Sequence, residues 1–380
     1  MNLNKIYNGK KICHMTSGHK RYDVRIFKKE CTSLADFGLD ITLLVNDNKP
    51  DEVINNVKII STKYVPKNRF SRMIFSNRNF YKMAVDIDAD IYHFHDPELL
   101  PVGNKLKKIG KKVIFDAHEN YIMQIKEKYY IPKLFRSVIS CVYGKYESFS
   151  VKRFDSVIFP CTLNNMNPFE KKAKKTVFID NVPVLSELYN KYKENESKQE
   201  RLICYVGGLT YQRGITHLIK AAYKARTKLI LGGILSPLDY SNEIKKMKEF
   251  SCVDYKGYVK HDKVVDIYKQ SSIGICTILN VGQYNKGDNF PTKVYEYMSM
   301  GLPVIISDYP YVRKVFKQYK FGIAVHPENV DEIADAIIYL LNNPEIALKM
   351  GQEGRRAVKE RFNWNIEEKK LLELYEKLIE

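Results

Sequence analysis

The segment ICYVGGLTYQRGITHLIKAA (203–222) runs from an apolar stretch through two glycines into a helical pattern. Buried strands have continuous apolar stretches, whereas an amphipathic helix repeats its apolar residues every three or four positions. Glycines after a strand let backbone N–H groups approach a ligand, and a helix N-terminus favours an anion. The segment therefore predicts a strand, a turn and a helix whose junction suits a phosphate group. An ordinary tight turn with a surface Arg213 explains the same pattern.

The same alternation of short apolar strands and amphipathic helices continues on both sides of this segment. Strand patterns lie at 11–16, 41–45, 57–61, 91–95, 111–118, 156–160 and 176–180, and again at 201–207, 228–233, 272–278, 303–308 and 321–325. Helix patterns include 24–38 and 98–109. Such alternation is typical of parallel sheets covered on both faces, in which ligands bind beyond the carboxyl ends of the strands. The sequence therefore predicts an α/β fold with two doubly wound domains.

The length of 380 residues exceeds what one ordinary core accommodates and also predicts two domains. The most polar stretch between the two series of strands is LYNKYKENESKQE (188–200), which we interpret as a linker or a peripheral loop. The final stretch, NWNIEEKKLLELYEKLIE (363–380), has the pattern of an amphipathic helix.

The formal net charge of +18 is high and lies mostly in the first half of the chain. Residues 1–180 hold 32 Lys and Arg against 19 Asp and Glu, an excess of 13, whereas the remainder holds 30 against 25. This asymmetry predicts an anionic partner, whether nucleic acid, acidic lipid headgroups or phosphorylated substrates. No zinc pattern or known nucleic-acid module accompanies the charge, so we expect no nucleic-acid partner.

The cysteine pattern and the apolar stretches bear on the compartment. The seven cysteines include no CxxC pair and mostly lie in apolar stretches, so we expect reduced core cysteines in a cytosolic protein. The first residues, MNLNKIYNGKKICHM, lack the apolar stretch of a signal peptide. No window approaches about 18 consecutive apolar residues, which predicts that no helix spans a membrane.

A second informative segment is GDNFPTKVYEYMSMGLPVII (287–306), with Asp288 in a loop and Glu296 inside the following helix. Pro291 suits the start of that helix, where the N–H that proline lacks would have no partner. The two carboxylates flank a helix N-terminus that favours phosphate, and each can accept hydrogen bonds from vicinal sugar hydroxyls. Alternatively, Asp288 caps the helix and Glu296 lies on a solvated face. A phosphate cradle beside two hydroxyl acceptors is the combination that a nucleotide diphosphate sugar requires.

With these features the sequence resembles the family 4 (group 1) retaining glycosyltransferases of the GT-B fold, in the bacterial surface-polysaccharide branch. The resemblance spans nearly the whole chain and rests on VGGLTYQRGITHLI, DNFPTKVYEYMSMGLPVIISD, YHFHDPELLPVGNKLKKIGKKVIFDAHEN and HMTSGHKRYDVRIFKKECTSLADFGLDITLLV. It implies two Rossmann-like domains facing across a cleft. Residues 1–182 would bind the acceptor, residues 183–364 would bind the donor, and the helix 365–380 would pack back on the first domain.

For the donor, the resemblance implies that Glu296 holds the nucleotide ribose. Asp288 replaces the usual first glutamate near the donor sugar, with a carboxylate one methylene shorter. Arg213 would neutralise the diphosphate, and Lys293 would supply a second charge, because Gly208 stands where many family members carry a cation. Backbone groups near the end of a strand would hold the base. The implied donor-binding residues are Gly207, Gly208, Arg213, Gly257, Tyr258, Asn289, Phe290, Lys293 and Glu296.

In the first domain, the resemblance implies that His118 reaches the donor sugar and its phosphate. The implied catalytic residues are thus His118, Asp288 and Glu296. On the acceptor side we expect His19, Asp96 and Glu98, although Asp96 alternatively caps the helix that follows it.

The histidines also allow a metal cluster of His93, His95, Asp96 and His118 to be drawn. We expect no metal ion, because His93 and His95 point to one strand face and Asp96 to the other, and the family needs no protein-bound metal. The stretch DIDAD (86–90) resembles the Asp-x-Asp metal motif of the other main glycosyltransferase fold. It precedes a strand, however, so we interpret it as a surface turn. No cofactor is expected beyond the nucleotide diphosphate sugar as co-substrate.

The resemblance implies retaining, metal-independent transfer of a hexose-type sugar, with a UDP-sugar favoured, in capsule, O-antigen or exopolysaccharide synthesis. The acceptor would be a saccharide or a polyprenyl-diphosphate-linked sugar. Segments 105–112 and 126–154 mix basic with apolar and aromatic residues, which suits the headgroup region of an anionic membrane. A solvated basic helix around an ordinary core is the alternative. We therefore expect a cytoplasmic protein, peripheral on the inner face of the plasma membrane.

Two other functions are compatible with the same segments. A nucleotide-sugar epimerase of this fold would use the same donor cradle but would need no basic acceptor face. A catalytically inactive homologue that binds a sugar nucleotide or glycolipid is suggested by Asp288 and Gly208, the two departures from the family pattern.

Overall fold

The structure is a computed structural model that describes residues 9–65, 67, 71, 76–127, 131–192, 201–281 and 284–380. Most of the predicted linker (residues 193–200) and residues 128–130 of the second basic segment lie outside the described residues. The chain divides into two compact units. Unit 1 comprises Met1–Asn181 together with Ile366–Glu380, and unit 2 comprises Val182–Asn365.

Unit 1 contains an eight-stranded sheet with the strand order β3-β4-β2-β1-β5-β6-β7-β8. The strands are β1 Lys11–Thr16, β2 Asp40–Val45, β3 Glu52–Ile54, β4 Val57–Ser61, β5 Ile91–Phe94, β6 Lys112–Asp116, β7 Ser156–Phe159 and β8 Thr176–Phe178. Neighbouring strands are parallel except for the edge pair β3–β4, which is antiparallel. The three-residue strand β3 was not predicted, because so short a segment carries no recognisable alternation.

The helices of unit 1 cover its sheet. They are a π-helix Val24–Cys31, α1 Thr32–Asp36, α2 Asn77–Ile87, the 3-10 turn Pro97–Leu99, α3 Leu100–Lys108, α4 Tyr121–Glu127 and α5 Lys133–Val151. The prediction of one ordinary helix over 24–38 is wrong in its first half. Hydrogen bonds in a π-helix join residues five apart, as Lys28 N and Asp23 O do at 3.2 Å. The wider turn brings Arg25 and Glu30 to the same buried face.

Unit 2 contains a six-stranded, wholly parallel sheet with the strand order β11-β10-β9-β12-β13-β14. Its strands are β9 Leu202–Val206, β10 Lys228–Gly232, β11 Val253–Gly257, β12 Ile273–Cys276, β13 Val304–Ser307 and β14 Gly322–Val325. Four of them, β9, β10, β12 and β13, are buried over nearly their whole length, as continuous apolar sequences predict.

The helices of unit 2 cover both faces of this sheet. They are α6 Ile215–Lys224, α7 Leu238–Lys246, α8 His261–Gln270, α9 Thr292–Ser299, α10 Pro310–Phe316, α11 Val330–Asn342 and α12 Pro344–Glu360, with 3-10 turns at Tyr189–Lys191, Tyr211–Arg213 and Lys248–Cys252. The last helix of the chain, α13 Trp364–Ile379, lies mostly in unit 1. Two separate apolar clusters pack on the two sides of the sheet of unit 2. The predicted fold of two Rossmann-like doubly wound domains is confirmed.

Three smaller expectations have different outcomes. The stretch at 86–90 is a surface turn, as predicted, because α2 ends at Ile87 and Asp88 has a left-handed φ of 50°. Cys141 is exposed on α5, so the expectation of core cysteines is wrong at that position. Within the described residues, no helix is both long and apolar enough to cross a bilayer.

Candidate donor and acceptor sites

The strand orders show where each sheet can bind a ligand. Numbered within its unit, the order is 3-2-1-4-5-6 in unit 2 and 3-2-1-4-5-6-7 for the parallel strands of unit 1. Connections leave the first and fourth strands toward opposite faces of such a sheet, which opens a crevice at their carboxyl ends. The crevice lies beside β9 and β12 in unit 2, and beside β1 and β5 in unit 1.

In unit 2, the loop after β9, residues 207–214, is shaped by two glycines; we name it the glycine loop. Gly207 has a φ of +141°, and a Cβ there would lie 3.1 Å from Nζ of Lys293. Gly214 has a φ of +76°, and a Cβ there would lie 2.0 Å from the carbonyl oxygen of Thr277. The loop is therefore held at one end against Lys293 and at the other against the residue that follows β12.

Lys293, in the first turn of α9, is a buried cation next to the glycine loop. Its Nζ lies 4.6 Å from the centroid of the Tyr205 ring, a cation–π distance. Burial alone would lower the pKa of Lys293, but Tyr205 and Cys276 outweigh this effect, and the pKa is raised. The ammonium group therefore stays charged beside the backbone of Gly207.

Arg213 supplies a second cation at the far end of the glycine loop. Its guanidinium carbon lies 4.9 Å from the centroid of the Tyr284 ring. Because Arg213 is a nearby positive charge, it lowers the pKa of Lys293, although less than the other groups raise it. The exposed Gly208 carries no charge, and its carbonyl accepts a 3.1 Å hydrogen bond from the Tyr205 hydroxyl. The glycine loop thus offers accessible backbone between two cations, Arg213 within the loop and Lys293 beside it.

Glu296 lies on the same helix as Lys293, three residues later. Its Oε2 accepts a 2.6 Å hydrogen bond from the Tyr268 hydroxyl, and Nε2 of His261 lies 3.9 Å from Oε1. Burial and the Glu296 charge raise the pKa of Tyr268, which keeps the donating proton on the hydroxyl. The Glu296 side chain is 21% exposed. One carboxylate oxygen is therefore held while the group stays accessible, contrary to the alternative of a merely solvated face.

Helix α9 is positioned by close packing on β12. A Cβ at Gly274 would lie 2.3 Å from Cγ of Tyr297, so the tyrosine ring lies directly against the strand. The Tyr297 hydroxyl donates a 3.4 Å hydrogen bond to the carbonyl oxygen of Ile275. Because α9 carries both Lys293 and Glu296, this contact fixes the two charges relative to the sheet.

The loop before α9 holds Asp288, predicted to be catalytic, and two predicted donor-binding residues, Asn289 and Phe290. Phe290 is 4% exposed and packs into the core, so its side chain fixes the loop. Asp288 and Asn289 are half-buried. The N-cap position of the helix is Pro291, three residues after Asp288.

Gly257, the last residue of β11, and Tyr258, which follows it, were predicted to lie near the base and are on the same edge of the sheet. The backbone links this position to the glycine loop, because Gly207 N donates to Gly232 O at 2.8 Å and Gly233 N donates to Gly257 O at 2.6 Å. Tyr258 is 65% exposed. The carboxyl ends of β9, β10 and β11 thus form one continuous edge with an exposed aromatic ring at its end.

Sequence reasoning missed Thr277, Tyr205 and Tyr268 in this site. Thr277 is fully buried, and within the described residues its Oγ1 has no hydrogen-bond partner. Its position directly after a buried strand was a usable signal, because ligands bind at such ends. Tyr268 is 28 residues from Glu296, and no sequence pattern joins the two.

In unit 1, Asp96 follows β5 and binds the loop after β1. Its Oδ2 accepts hydrogen bonds from Thr16 Oγ1 at 2.7 Å, Ser17 N at 2.7 Å and Gly18 N at 3.2 Å. Its Oδ1 lies 3.1 Å from Nδ1 of His19. Burial alone would raise the pKa of Asp96, but His19 and Thr16 outweigh it and lower the pKa. Asp96 makes no capping bond to the following turn, so its alternative assignment as a helix cap is wrong.

His118 lies beside this arrangement at the end of β6. Its ring centroid is 4.7 Å from that of His19, and its Nε2 lies 3.0 Å from Oδ2 of Asp116. Asp116 is fully buried and accepts two hydrogen bonds from Arg25, at 2.9 and 3.1 Å. Burial would raise the pKa of Asp116, but Arg25 and His118 hold it well below the usual value. Glu98 lies nearby in sequence, half-buried in the turn Pro97–Leu99.

Behind His118, a fully buried histidine network extends to the last helix. His95 Nδ1 lies 3.2 Å from His118 Nε2, and His95 Nε2 lies 3.0 Å from His14 Nδ1. The Tyr375 hydroxyl lies 3.1 Å from His14 Nε2 and 2.9 Å from His93 Nδ1. The metal set that was drawn from the sequence does not converge, because Asp96 is bound by the loop after β1 and His93 and His118 fall in different groups. Among the residues that the structure describes, the converging groups are His14, Glu30, His93 and His95, and also His95, Asp116 and His118.

The fold of this chain is similar to that of several solved structures. The structure superposes on sucrose-phosphate synthase from Thermosynechococcus elongatus with a TM-score of 0.77 at 18% identity, covering 97% of this chain and 99% of that one. Anabaena HepE, solved in complex with UDP and glucose, superposes with a TM-score of 0.72 at 13% identity, covering 97% and 100% of the two chains. Both similarities establish the GT-B fold.

The amino-acid sequence is similar to that of glycosyltransferases. The family described as glycosyl transferases group 1 matches residues 189–357, most of unit 2. An uncharacterised glycosyltransferase of Methanocaldococcus jannaschii is 23% identical over 388 aligned residues, covering 96% of this chain and 92% of that protein. The part of the chain that matches the group 1 glycosyltransferase family contains the glycine loop, Lys293 and Glu296.

Proposed function

We propose that the protein transfers a hexose-type sugar from a nucleotide diphosphate sugar to a saccharide or lipid-linked acceptor, with retention at the anomeric carbon. A UDP-sugar is the favoured donor, in line with the UDP and glucose bound by the structurally similar HepE. The pathway we propose is capsule, O-antigen or exopolysaccharide synthesis, on the cytoplasmic side of the membrane.

The observation that carries the proposal is the pairing of Lys293 and Glu296 on one helix beside the glycine loop. A buried ammonium 3.1 Å from the Cβ position of Gly207 suits a phosphate that approaches bare backbone. A half-buried carboxylate with one oxygen held by Tyr268 suits the hydroxyl pair of a ribose. Together they fit a nucleoside diphosphate better than either group alone.

In the proposed reaction, the bond between the anomeric carbon and the diphosphate oxygen breaks. Lys293 and Arg213 stabilise the negative charge that develops on the departing diphosphate. The acceptor hydroxyl attacks from the face that the diphosphate leaves, and a phosphate oxygen takes its proton. The reaction thus needs no protein general base, and the two cations supply the charge compensation without a metal ion at the diphosphate.

We propose that unit 1 contributes His118 to the donor sugar, and His19, Asp96 and Glu98 to the acceptor. His118 is half-buried and held by Asp116, so its ring has a fixed orientation. The Asp96 carboxylate already accepts hydrogen bonds from the loop after β1, which makes it a positioning group for His19. Substitution of His118 is therefore expected to lower the transfer rate while nucleotide binding by unit 2 persists.

The test is a thermal-shift panel of UDP, GDP, ADP and their hexose and N-acetylhexosamine conjugates. A ligand that binds only the folded protein raises the melting temperature. We expect one nucleotide to do so, with a larger shift for one sugar conjugate, and Lys293→Met or Glu296→Gln to abolish the shift. Lys224→Met, an exposed lysine paired with Asp331, is the matched control and should retain it.

This panel, followed by product assays without and with an acceptor, separates the candidate functions. No shift with any nucleotide from folded protein would overturn the proposed donor site and favour an inactive homologue. With the preferred donor alone, formation of a new nucleotide sugar would identify an epimerase. Transfer to added acceptor, with the anomeric configuration retained by NMR, is the expected result.

A lipid-linked acceptor is supported by the surface of α5 in unit 1. Seven large apolar side chains of this helix are exposed, with Leu134 at 88% and Val142 at 63%. They are Leu134, Phe135, Val138, Ile139, Val142, Tyr146 and Phe149. The one acidic residue in 133–153, Glu147, is buried and pairs with Lys172 at 3.4 Å. The exposed face is therefore apolar and cationic, a combination that suits an anionic bilayer.

We propose that α5 docks this face on the anionic membrane that holds the acceptor. Flotation with vesicles of phosphatidylglycerol and phosphatidylcholine should recover the protein, and high salt should weaken recovery, because salt screens exposed charges. Leu134→Glu with Val138→Glu should abolish flotation, whereas Leu348→Glu, at an exposed leucine of unit 2, should not. Equal flotation of all variants, or none by the natural chain, would contradict membrane docking; a dimer in gel filtration would point to a second copy instead.

A further inference from the structure

The centre of unit 1 contains four metal-ligating side chains that the proposed reaction does not use. One ligand atom from each lies within 4.8 Å of every other ligand atom. All four residues are fully buried. We name this set the buried cluster; its members are His14, Glu30, His93 and His95.

The backbone brings the buried cluster together from three elements. His14 on β1 and His93 on β5 are directly opposite each other in the parallel register. His95 follows two residues later, beyond the end of β5, and Glu30 comes from the π-helix. The π-helical turn is what places Glu30 on the inner face beside Arg25. An irregular helix that buries a carboxylate against three imidazoles is a costly arrangement unless something compensates the carboxylate.

In each histidine of the buried cluster, one ring nitrogen contacts a residue outside the cluster and the other ring nitrogen faces the cluster. The Tyr375 hydroxyl occupies His14 Nε2 and His93 Nδ1, and Asp116 Oδ2 lies 3.3 Å from His95 Nδ1. The ring nitrogens that remain are His14 Nδ1, His93 Nε2 and His95 Nε2. Outer hydrogen bonds of this kind, from a hydroxyl and a carboxylate, orient imidazoles that bind metal ions.

Two members of the buried cluster lack the partners that burial requires. Within the described residues, neither oxygen of Glu30 accepts a hydrogen bond, and His93 Nε2 also has no hydrogen-bond partner. Arg25 Nε lies 3.1 Å from Glu30 Oε1, but its single N–H donates to Asp116. A protonated Glu30 bonded to a neighbouring carboxylate would satisfy Glu30 alone and would leave His93 Nε2 unpaired. One divalent cation would satisfy both groups.

From this geometry we propose that the buried cluster is a structural site for a divalent transition-metal ion, with Zn²⁺ the best fit. Three imidazole nitrogens and one carboxylate oxygen form a ligand set that Zn²⁺ accepts, with four-coordinate geometry in closed sites. Tetrahedral coordination at Zn–ligand distances of about 2.0–2.1 Å places ligand atoms about 3.3 Å apart. The distances of 3.0 Å between His14 Nδ1 and His95 Nε2, and 3.9 Å between His93 Nε2 and Glu30 Oε2, bracket that value.

The second convergent group, His95, Asp116 and His118, is the weaker candidate. Its carboxylate is already held by two hydrogen bonds from Arg25, so it lacks the unsatisfied atoms of the buried cluster. The ion in the buried cluster would be inaccessible to substrate and would hold β1, β5 and the π-helix together. This role is independent of the proposed donor site in unit 2.

The experiment measures metal bound by the full chain after any histidine tag is removed. The protein is incubated with Zn²⁺, passed over a chelating resin and analysed by inductively coupled plasma mass spectrometry. We expect one Zn²⁺ per chain, a drop of tenfold or more in Glu30→Gln and His93→Gln, and no change in His118→Gln or in the unit 2 control His217→Gln. Zn²⁺ should also raise the melting temperature of the natural chain.

Several results would overturn the proposal. They are no bound metal in the natural chain, equal metal in all variants, or loss with His118→Gln but not with Glu30→Gln. Where the cluster variants do not fold, Co²⁺ added to the natural chain decides, because tetrahedral Co²⁺ absorbs visible light intensely and octahedral Co²⁺ weakly. A weak spectrum would overturn the proposal. No nucleotide enters these assays, so their failure is separable from that of the proposed donor site.

Discussion

Individual residues of the candidate donor site act through neighbours that the sequence does not reveal. Glu296 is the clearest case, because the orientation of its carboxylate depends on Tyr268, which comes from the preceding helix α8. Lys293 similarly depends on Tyr205 at the end of β9. The residue types were recognisable in the sequence, but the groups that fix their orientation and charge were not.

The Tyr268–Glu296 hydrogen bond can be tested by Tyr268→Phe. The variant loses one hydrogen bond to a charged acceptor, worth about 1.5–3 kcal/mol, and frees the carboxylate to rotate. We expect the Kd of the preferred nucleotide, measured by calorimetry, to rise about tenfold or more. Tyr339→Phe, at an exposed tyrosine of α11 outside the site, serves as the control; equal affinities in the two variants would contradict the role of Tyr268.

A second residue-scale prediction concerns the ion pair of Asp47 and Arg21, which form bonds of 2.8 Å. The hydrogen bond from Arg21 lowers the pKa of Asp47 to about 2. A carboxyl whose pKa is lower in the folded than in the unfolded state contributes stability above the unfolded pKa, and this stability disappears as the pH falls toward 2. Asp47→Asn should therefore lower the free energy of unfolding by up to about 2 kcal/mol at pH 7.

Denaturant titrations between pH 3 and pH 7 check this prediction. The difference between Asp47→Asn and the natural chain should shrink below about pH 4, whereas the exposed control Asp86→Asn should show little difference at any pH. A constant difference across this range would show that the variant acts through packing instead of charge.

At the scale of elements, two glycines with similar φ angles differ in their contacts: Gly214 in the glycine loop and Gly257 at the end of β11. Gly214 and Gly257 both have positive φ, at +76° and +62°. A Cβ at Gly214 would collide with the backbone of Thr277, whereas a Cβ at Gly257 would meet nothing within 4 Å. The two positions therefore separate backbone strain from steric collision.

Substituting each glycine by alanine tests this difference. Gly257→Ala should cost about 1 kcal/mol of unfolding free energy, from the strained φ alone. Gly214→Ala should cost about 3 kcal/mol or more, because the collision displaces the loop or β12, and it should also weaken nucleotide binding. Melting temperatures and calorimetric affinities measure both effects; similar costs at the two sites would contradict the packing described for Gly214.

The spacing of apolar residues predicts that residues 24–31 are helical, but it does not predict which type of helix they form. The pattern of VRIFKKEC fits an amphipathic helix, and a helical element is present, but its hydrogen bonding is that of a π-helix. The cause is the burial of Arg25 and Glu30 on one face, five residues apart. The buried ion contacts of these residues come from strands far along the chain, so no local rule predicts them.

At the scale of the whole molecule, the chain end belongs structurally to the first unit. Helix α13 places Leu371, Leu374 and Tyr375, all fully buried, against unit 1. Glu367 also accepts a 2.9 Å hydrogen bond from Asp180 N. Unit 1 is thus assembled from two separated parts of the sequence, and its buried histidine network is complete only with Tyr375.

Leu374→Ala tests this closure of unit 1. Removing a fully buried leucine costs about 2–5 kcal/mol through lost burial and the cavity that remains. We expect a lower melting temperature and faster proteolysis of unit 1, while Leu372→Ala, at a half-buried neighbour on the same helix, should change both much less. Equal behaviour of the two variants would contradict the packing of α13 on unit 1.

The sequence by itself determined the alternation of strands and helices, and therefore two Rossmann-like sheets and the sheet edges on which the candidate sites lie. Burial of a parallel sheet imposes continuous apolar strands, and this pattern is local enough to be read directly from the residues. The same locality made the glycine loop and the carboxylate-bearing helix recognisable, because each lies within about twenty consecutive residues.

Only the tertiary structure decided which side chains meet. The strand order places β9 beside β12 and β1 beside β5, which brings Thr277 to Gly214 and Asp96 to the loop after β1. The hydrogen bond of Tyr268 to Glu296, the π-helix and the buried cluster of unit 1 follow from contacts between residues far apart in sequence. Such contacts depend on how whole elements pack, and residue spacing along the chain carries no record of them.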